Sequence, residues 1–461
     1  MNPSHPVTID HVTLRYPASN DEILTDFSFQ PAPGSVTLIC GASGSGKSSV
    51  LRLINGLIPH FHSAEYSGAV TVAGNDISTT ELHTCGKLCA TVFQNPKTQF
   101  FTTEVDSELA FANQNFQVPA AEIARRSAEA LAGIGITELA GRSLNQLSGG
   151  QLQKVACAQA LAQNTPLVLF DEPTSNLDAK AIDDFTTVVA QLKADGKTVI
   201  IAEHRLYFLR GLVDEVIVLD HGRIAHRFSG AEFFELSQQK VHEMGLRSLT
   251  RPVLTEAMPT TPATMQPGHV EKHTEADVIV ENLKVIFGNR RVLDIGHMWF
   301  PAGQVTAIIG PNGAGKTTLA RTLVGLKKPQ RGSVIHGAAS SFLVMQDVHR
   351  QLFTESVEAE APHGFLARLD LDHLADRHPL SLSGGQKQRL VCATALSLGA
   401  HVVIFDEPTS GVDYRHLRAI AQLLKELAGE GKVVIVISHD IEFLNHCADQ
   451  IVELVPVSPQ P

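Results

Sequence analysis

Cysteine is scarce in this chain of 461 residues: six, at positions 40, 85, 89, 157, 392 and 447, with no Cys-x-x-Cys pair. Cys85 and Cys89 lack a second pair to complete a zinc site, so the thiols read as reduced and cytosolic. Long apolar runs are missing as well. Residues 402–405 and 433–437 are short runs bounded by charge or glycine, far below the roughly 20 residues of a membrane-spanning helix. Residues 1–16 hold no basic start leading into an apolar run, so no secretory leader is expected. Positive charge is in deficit: 37 Lys and Arg against 48 Asp and Glu leave a net charge of −11. Affinity for a phosphate backbone needs clustered cations, and no such cluster stands out, so nucleic acid is not an expected partner. Apolar residues make up 43% and charged residues 18%. That composition supports packed cores, and the length suits about two to four domains.

What the chain does have is a copy of itself, the feature to seek before any other. Gly41-Ala-Ser-Gly-Ser-Gly-Lys-Ser48 returns as Gly310-Pro-Asn-Gly-Ala-Gly-Lys-Thr317. Leu147-Ser-Gly-Gly-Gln151 returns as Leu382-Ser-Gly-Gly-Gln386, and Phe170-Asp-Glu-Pro-Thr174 as Phe405-Asp-Glu-Pro-Thr409. The spacings agree: Ser148 to Glu172 and Ser383 to Glu407 are both 24 residues, and Glu172 to His204 and Glu407 to His439 are both 32. One spacing differs. Lys47 to Ser148 is 101 residues, whereas Lys316 to Ser383 is 67, so the second copy is shorter between those motifs by about a turn–helix unit.

The first copy ends in an amphipathic stretch over residues 231–244. Residues 251–273 are rich in Pro and Thr without apolar period, which reads as a linker. The expected division is a first domain over 5–245, a linker over 246–274 and a second domain over 275–457. Buried strands are expected at 35–40, 198–202, 304–309 and 432–437, each an apolar, β-branched run. A helix is expected from about Lys47 to Asn55. Strands alternating with helices predict an α/β fold with a mostly parallel sheet covered on both faces.

Both Gly-Lys stretches fit G-x-x-x-x-G-K-[ST] between a strand and a helix, the context that phosphate-binding loop requires. The glycines let backbone N–H groups turn inward around an anion, and the helix N-terminus adds partial positive charge. The phosphate-binding set is therefore Gly41, Ser43, Gly44, Gly46, Lys47, Ser48 and Ser49 in the first copy. In the second it is Gly310, Asn312, Gly313, Gly315, Lys316, Thr317 and Thr318. Lys47 and Lys316 reach phosphates; Ser48 and Thr317 are Mg²⁺ ligands. Asp171 and Asp406 end apolar strands, where nucleotides bind in open α/β sheets, and each is placed to hold Mg²⁺. Glu172 and Glu407 follow them, placed to polarise an attacking water.

Together these motifs resemble the ATP-binding-cassette (ABC) ATPases, across nearly all of both halves. The resemblance implies two tandem P-loop NTPase domains, each with a RecA-like core and a helical signature subdomain, using ATP and Mg²⁺. In that family two cassettes meet head to tail. Ser148, Gly149 and Gly150 would then contact the phosphate held by Lys316, and Ser383, Gly384 and Gly385 the one held by Lys47. The resemblance also makes His204 and His439 switch histidines and Gln94 and Gln346 the glutamines that sense Mg²⁺ and the lytic water. Residues 175–178 and 410–413 resemble the loops linking the two sites. Tyr16 and Phe287 resemble the aromatic that stacks on adenine. Lys154 departs mildly, since its counterpart is Arg389 and the family more often has Arg.

Residues 92–105 run Val-Phe-Gln-Asn-Pro-Lys-Thr-Gln-Phe-Phe-Thr-Thr-Glu-Val, and residues 344–357 align with them without a gap. This segment is similar to that of energy-coupling-factor (ECF) importer ATPases, where it forms a helix at the groove that receives coupling helices from a membrane subunit. Phe100, Phe101, Leu352 and Phe353 are either core residues or an apolar socket for such a helix. The resemblance implies a peripheral protein on the cytoplasmic face of the cell membrane. Its partners would be integral membrane coupling and substrate-binding subunits, importing a vitamin, vitamin precursor or metal ion. The competing expectation is a soluble tandem-cassette ATPase acting on ribosomes, which would carry a longer, charged, helical linker. A fused sugar-importer cassette is disfavoured by two intact signatures, and a DNA-repair cassette by the missing cysteine pairs.

Overall fold

The computed structural model describes residues 5–17, 21–175, 177–255, 260–262, 274–288, 290–336, 340–345, 348–382 and 384–457. The chain divides into two units, Met1–Arg251 and Pro252–Pro461.

The first unit holds strands β1 (Val7–Arg15), β2 (Glu22–Phe29), β3 (Val36–Gly41), β4 (Glu65–Val72), β5 (Asn75–Asp76), β6 (Cys89–Val92), β7 (Leu167–Asp171), β8 (Thr198–Ala202), β9 (Glu215–Asp220) and β10 (Arg223–Ser229). Its helices are α1 (Lys47–Ile54), α2 (Leu57–His60), α3 (Leu82–Leu88), α4 (Val105–Asn115), α5 (Ala120–Gly133), α6 (Gly149–Gln163), α7 (Ala179–Ala194), α8 (Gly230–Phe234) and α9 (Gln238–Glu243). The main sheet runs β10-β9-β3-β8-β7-β6, parallel except for the β9–β10 pair. A second, antiparallel sheet runs β2-β1-β4-β5.

Burial explains why these strands lack polar alternation. β3, β7 and β8 are buried at every position, as expected of strands covered on both faces. Successive side chains point to opposite faces. Leu38, Phe170 and Ile201 therefore join the core beneath α4–α7, while Ile39, Leu169 and Ile200 join the core shared with α1 and the antiparallel sheet. Leu246 and Leu249, in the segment read as linker, are buried in the first of these cores.

The second unit repeats the plan. Its strands are β11 (Thr260–Pro262), β12 (Val278–Phe287), β13 (Arg290–Phe300), β14 (Val305–Ile309), β15 (Arg331–His336), β16 (Ser341–Val344), β17 (Val402–Asp406), β18 (Val433–Ile437) and β19 (Gln450–Glu453). Its helices are α10 (Lys316–Leu323), α11 (Val357–Glu360), α12 (His363–Arg368), α13 (Gly384–Ser397), α14 (Tyr414–Gly429) and α15 (Ile441–Cys447). The main sheet runs β11-β19-β14-β18-β17-β16, all parallel, beside an antiparallel β13-β12-β15 sheet. The short β11 comes from the Pro/Thr-rich segment and pairs with β19.

The difference in spacing has a structural form. The first unit places 11- and 14-residue helices, α4 and α5, ahead of its signature. The second places α11 and α12 there, of 4 and 6 residues. α2, β5 and α3 have no counterpart among the described residues of the second unit. All six cysteines are buried and free. Among the described residues no helix is long and apolar enough to cross a membrane.

Candidate functional site

Each unit builds its site where parallel strands end and a glycine loop turns into a helix. β3 leads through Gly44 (φ 80°) and Gly46 (φ 103°) into α1, and β14 leads through Gly313 (φ 84°) and Gly315 (φ 96°) into α10. At the strand ends, Gly41 and Gly310 have φ of 142° and 143°. A Cβ there would collide with the carbonyls of Leu219 and Leu454, so no other residue fits.

The loop lysines are buried. Lys47 Nζ donates to the Gly41 and Ala42 carbonyls at 3.2 and 3.0 Å. Lys316 Nζ donates to the Gly310 and Pro311 carbonyls at 2.7 and 3.2 Å and lies 2.9 Å from His439 Nε2. Ser48 Oγ donates to Asp171 Oδ1 at 2.8 Å, and Thr317 Oγ1 to Asp406 Oδ2 at 2.8 Å. A hydroxyl and a carboxylate thus converge in each unit, a pair of hard oxygen ligands that suits Mg²⁺.

Glu172 and Glu407 both adopt the left-handed backbone conformation, φ 48° and 54°. Their amides donate to Ala202 and Ile437 carbonyls on the next strand at 2.8 and 2.9 Å. Backbone strain of this kind persists where surrounding structure enforces it, and it clusters at functional sites. Gln94 Nε2 donates to Glu172 Oε2 at 2.6 Å, and His204 Nε2 lies 3.4 Å from Glu172 Oε1. In the second unit His439 Nε2 lies 3.8 Å from Glu407 Oε1 and 3.2 Å from Asn312 Oδ1.

Burial dominates the electrostatics. It pushes the Glu172 carboxyl up to about 7, against the pull of the Lys47 charge and the Gln94 hydrogen bond. Burial, then the neighbouring Glu172 charge, raises Asp171 to about 6, opposed by the Ser48 hydrogen bond. Asp406 is raised by burial and held back by Thr317 and Lys316. Carboxyls so short of solvation favour a bound cation.

The remaining expected residues occupy distinct places. Ser148 caps α6 in a reciprocal pair with Gln151: Gln151 N donates to Ser148 Oγ at 3.3 Å and Ser148 N to Gln151 Oε1 at 3.0 Å. Gly149 and Gly150 open α6, and Gly384 and Gly385 open α13. Ser383, Gln346 and Asn176 lie outside the described residues. Asp178 and Asp413, ending the linking loops, cap α7 and α14 by accepting from Ala181 N and His416 N at 2.9 Å. Lys154 pairs with Asp184 at 2.6 Å, whereas Arg389 donates to the Leu369 carbonyl at 3.0 Å. Tyr16 packs on the core with its hydroxyl 3.1 Å from Ser49 Oγ. Phe287 is 49% exposed, with Lys327 Nζ 4.2 Å from its ring centre.

The aligned segments after Gln94 and Gln346 divide their apolar residues. Phe100 packs on the first unit's core and Leu352 is buried in the second unit's, but Phe101 is 76% and Phe353 83% exposed. Where the resemblance implies a helix, the described residues of each segment form a single 3₁₀ turn, Pro96–Thr98 and Val348–Gln351. Gln99 Oε1 accepts from Phe93 N at 3.1 Å, and Gln351 Oε1 from Met345 N at 2.7 Å. Sequence reasoning missed two carboxylates here. Glu108 accepts from the amides of Phe101 and Thr102 at 3.0 and 2.8 Å. Glu360 accepts from the amides of Phe353 and Thr354. The signal available was their identical seven-residue offset from Phe101 and Phe353.

Two mostly parallel sheets, each with a phosphate loop, a strand-end Asp-Glu pair and a Gly-Gly signature opening a helix, define a two-cassette P-loop NTPase. The ABC transporter family model matches residues 24–175 and 293–410. A Treponema denticola protein named as an ABC transporter ATP-binding protein is 38% identical over 97% of this chain and 95% of its own length. Bacillus subtilis YkoD, named as an HMP/thiamine import ATP-binding protein, is 30% identical over 97% of this chain and 89% of its own. The chain belongs to the ABC transporter family, as a tandem-cassette ABC ATPase. Membership supports ATP hydrolysis as its chemistry and implies use of ATP, typically with Mg²⁺. Among solved structures, an RNase-L inhibitor has a TM-score of 0.62 at 22% identity, covering 96% of this chain and 90% of that one. The archaeal ribosome recycling factor aABCE1, in complex with ribosomal stalk protein aP1, has a TM-score of 0.61 at 21% identity, covering 96% and 87%. At such identity the likeness is one of fold.

Proposed function

We propose that this chain is the ATP-hydrolysing subunit of a membrane importer of the ECF type, peripheral to the cytoplasmic face of the membrane. Lys47, Lys316 and the loop amides bind the β- and γ-phosphates of ATP. Ser48 with Asp171, and Thr317 with Asp406, hold Mg²⁺, which when bound neutralises phosphate charge. Glu172 and Glu407 orient the attacking water and take its proton, helped by Gln94, Gln346, His204 and His439. For Glu172, a carboxyl raised to about 7 suits proton transfer at neutral pH. ATP binding and hydrolysis in the two cassettes drive the membrane subunits.

The observation that carries the importer reading is the matched pair of exposed phenylalanines, Phe101 and Phe353. Each stands on a loop buttressed by its own glutamate, next to the Gln94 or Gln346 segment. A large apolar side chain held out in water at the same place in both units suits insertion between helices of an apolar partner. The name of the Bacillus subtilis relative supports the same reading.

The test is purification of the tagged full chain from native membranes in mild detergent. Small, very hydrophobic proteins are expected to accompany it, and a Phe101→Ala, Phe353→Ala double variant is expected to lose them while hydrolysing ATP alone as before. Recovery of ribosomal proteins and rRNA instead would overturn the importer reading and leave only the ATPase chemistry.

A further inference from the structure

The residues flanking the two switch histidines differ in kind. The first unit has Glu203 and Arg205 around His204; the second has Ser438 and Asp440 around His439. Glu203, His204 and Arg205 are all buried, immediately beyond β8. Burying a carboxylate and a guanidinium is costly unless both are well supplied with partners.

Among the described residues, the partners of these two side chains lie in two loops. Glu203 Oε1 accepts from the backbone amides of His204 and Arg205 at 2.7 and 3.1 Å. Its other oxygen, Oε2, accepts from Thr174 N at 3.2 Å and Thr174 Oγ1 at 2.8 Å. Arg205 Nη1 donates to the carbonyls of Thr174 and Leu177, both at 3.3 Å. One side chain thus grips the start of the 174–178 loop by its donors, and the other grips the same loop by its acceptors.

The fold does not demand this arrangement. The second unit makes the corresponding turn with Asp440, which accepts from Thr409 Oγ1 at 3.0 Å and from Phe443 N at 3.2 Å, capping α15. The first unit continues instead into a 3₁₀ turn, Tyr207–Leu209.

We propose that Glu203 and Arg205 are positioning residues that lock the His204 loop to the 174–178 loop, so that a shift of the latter re-aims His204 at Glu172. The proposal rests on the reading of Glu172 and His204 as hydrolytic residues. It makes the two sites unequal in kind: the first ties these loops through both a carboxylate and a guanidinium, whereas in the second Asp440, at the position of Arg205, meets Thr409 with a carboxylate.

The experiment measures steady-state ATP hydrolysis by the full chain in a Glu407→Gln background, so that turnover reports the first unit's glutamate. Arg205→Gln and Glu203→Gln are each expected to lower kcat about 10-fold or more with KM within about twofold, the signature of lost positioning rather than lost binding. Added to His204→Ala, neither is expected to lower kcat further, because residues acting through one another are not additive. Equal losses with and without His204, or no loss at all, overturn the proposal. Should either variant fail to fold, Thr174→Val, which removes one donor to Glu203, is expected to give a smaller loss that also vanishes in His204→Ala. If His204→Ala alone leaves turnover unchanged, the reading of the site fails instead, a separately visible result.

Discussion

A carboxylate at the buried end of a β-strand loses hydration, and the cost is tolerable only where a cation or several donors meet it. Asp171 and Glu172 show both the cost, in their raised pKa values, and the compensation, in Ser48, Gln94 and the Lys47 charge. Replacing the glutamates by glutamine keeps the shape and removes the proposed base. Glu172→Gln and Glu407→Gln are expected to bind ATP as before and to slow turnover, the double variant by about 10²–10⁴; undiminished hydrolysis in that variant would count against both assignments. At this scale much was legible in sequence, because phosphate loops and strand-end carboxylates use residue types their chemistry dictates. Glu203 and Arg205 were not, since what sets them apart is their tie to a loop some 30 positions away.

Elements are fastened to one another by a few buried polar groups. Glu108, on α4, takes hydrogen bonds from the 101–102 loop and from Gln159 Nε2 of α6 at 3.0 Å, and it is fully buried. Removing it strands several donors inside the fold. Glu108→Ala is expected to destabilise the first unit by about 2–4 kcal/mol, read as a lowered urea midpoint by circular dichroism. A loss under about 0.5 kcal/mol would show the loop to be held by other contacts. The expected strands at 35–40, 198–202, 304–309 and 432–437 match β3, β8, β14 and β18 to within a residue, because fully buried parallel strands are unbroken apolar runs. The short β11 was illegible, because three residues paired with a strand 191 positions away leave no local pattern.

At the scale of the whole molecule, the chain's single tryptophan, Trp299, offers a reporter for the second unit alone. Its indole donates to Asp277 at 3.0 Å, and the amides of Ala302 and Thr274 donate to the same carboxylate at 2.9 Å. Burial pushes the Asp277 pKa up, but these hydrogen bonds outweigh it and hold the carboxyl below its usual value. A depressed folded pKa contributes stability above the unfolded value, about 4, and loses it as pH falls through the folded value. Asp277→Asn is therefore expected to lower the urea midpoint followed by Trp299 fluorescence at pH 7, with the gap from the native protein closing below about pH 4. A gap that persists unchanged in acid would mean that the ionised carboxylate is not what stabilises this corner.

Sequence by itself determined the duplication, the α/β class, the phosphate loops and the family, because each rests on short-range patterns: period, spacing, and residue types that a given chemistry requires. Tertiary structure decided what depends on burial and on partners distant in the chain. It separated Phe100 and Leu352, which pack inward, from Phe101 and Phe353, which stand in water. It turned Glu172 and Glu407 into the left-handed conformation beside the next strand, and it gave His204 and His439 different surroundings. The same motif can be read twice along a chain, but what surrounds each copy is settled only when remote residues compete for the same buried space and the same donors.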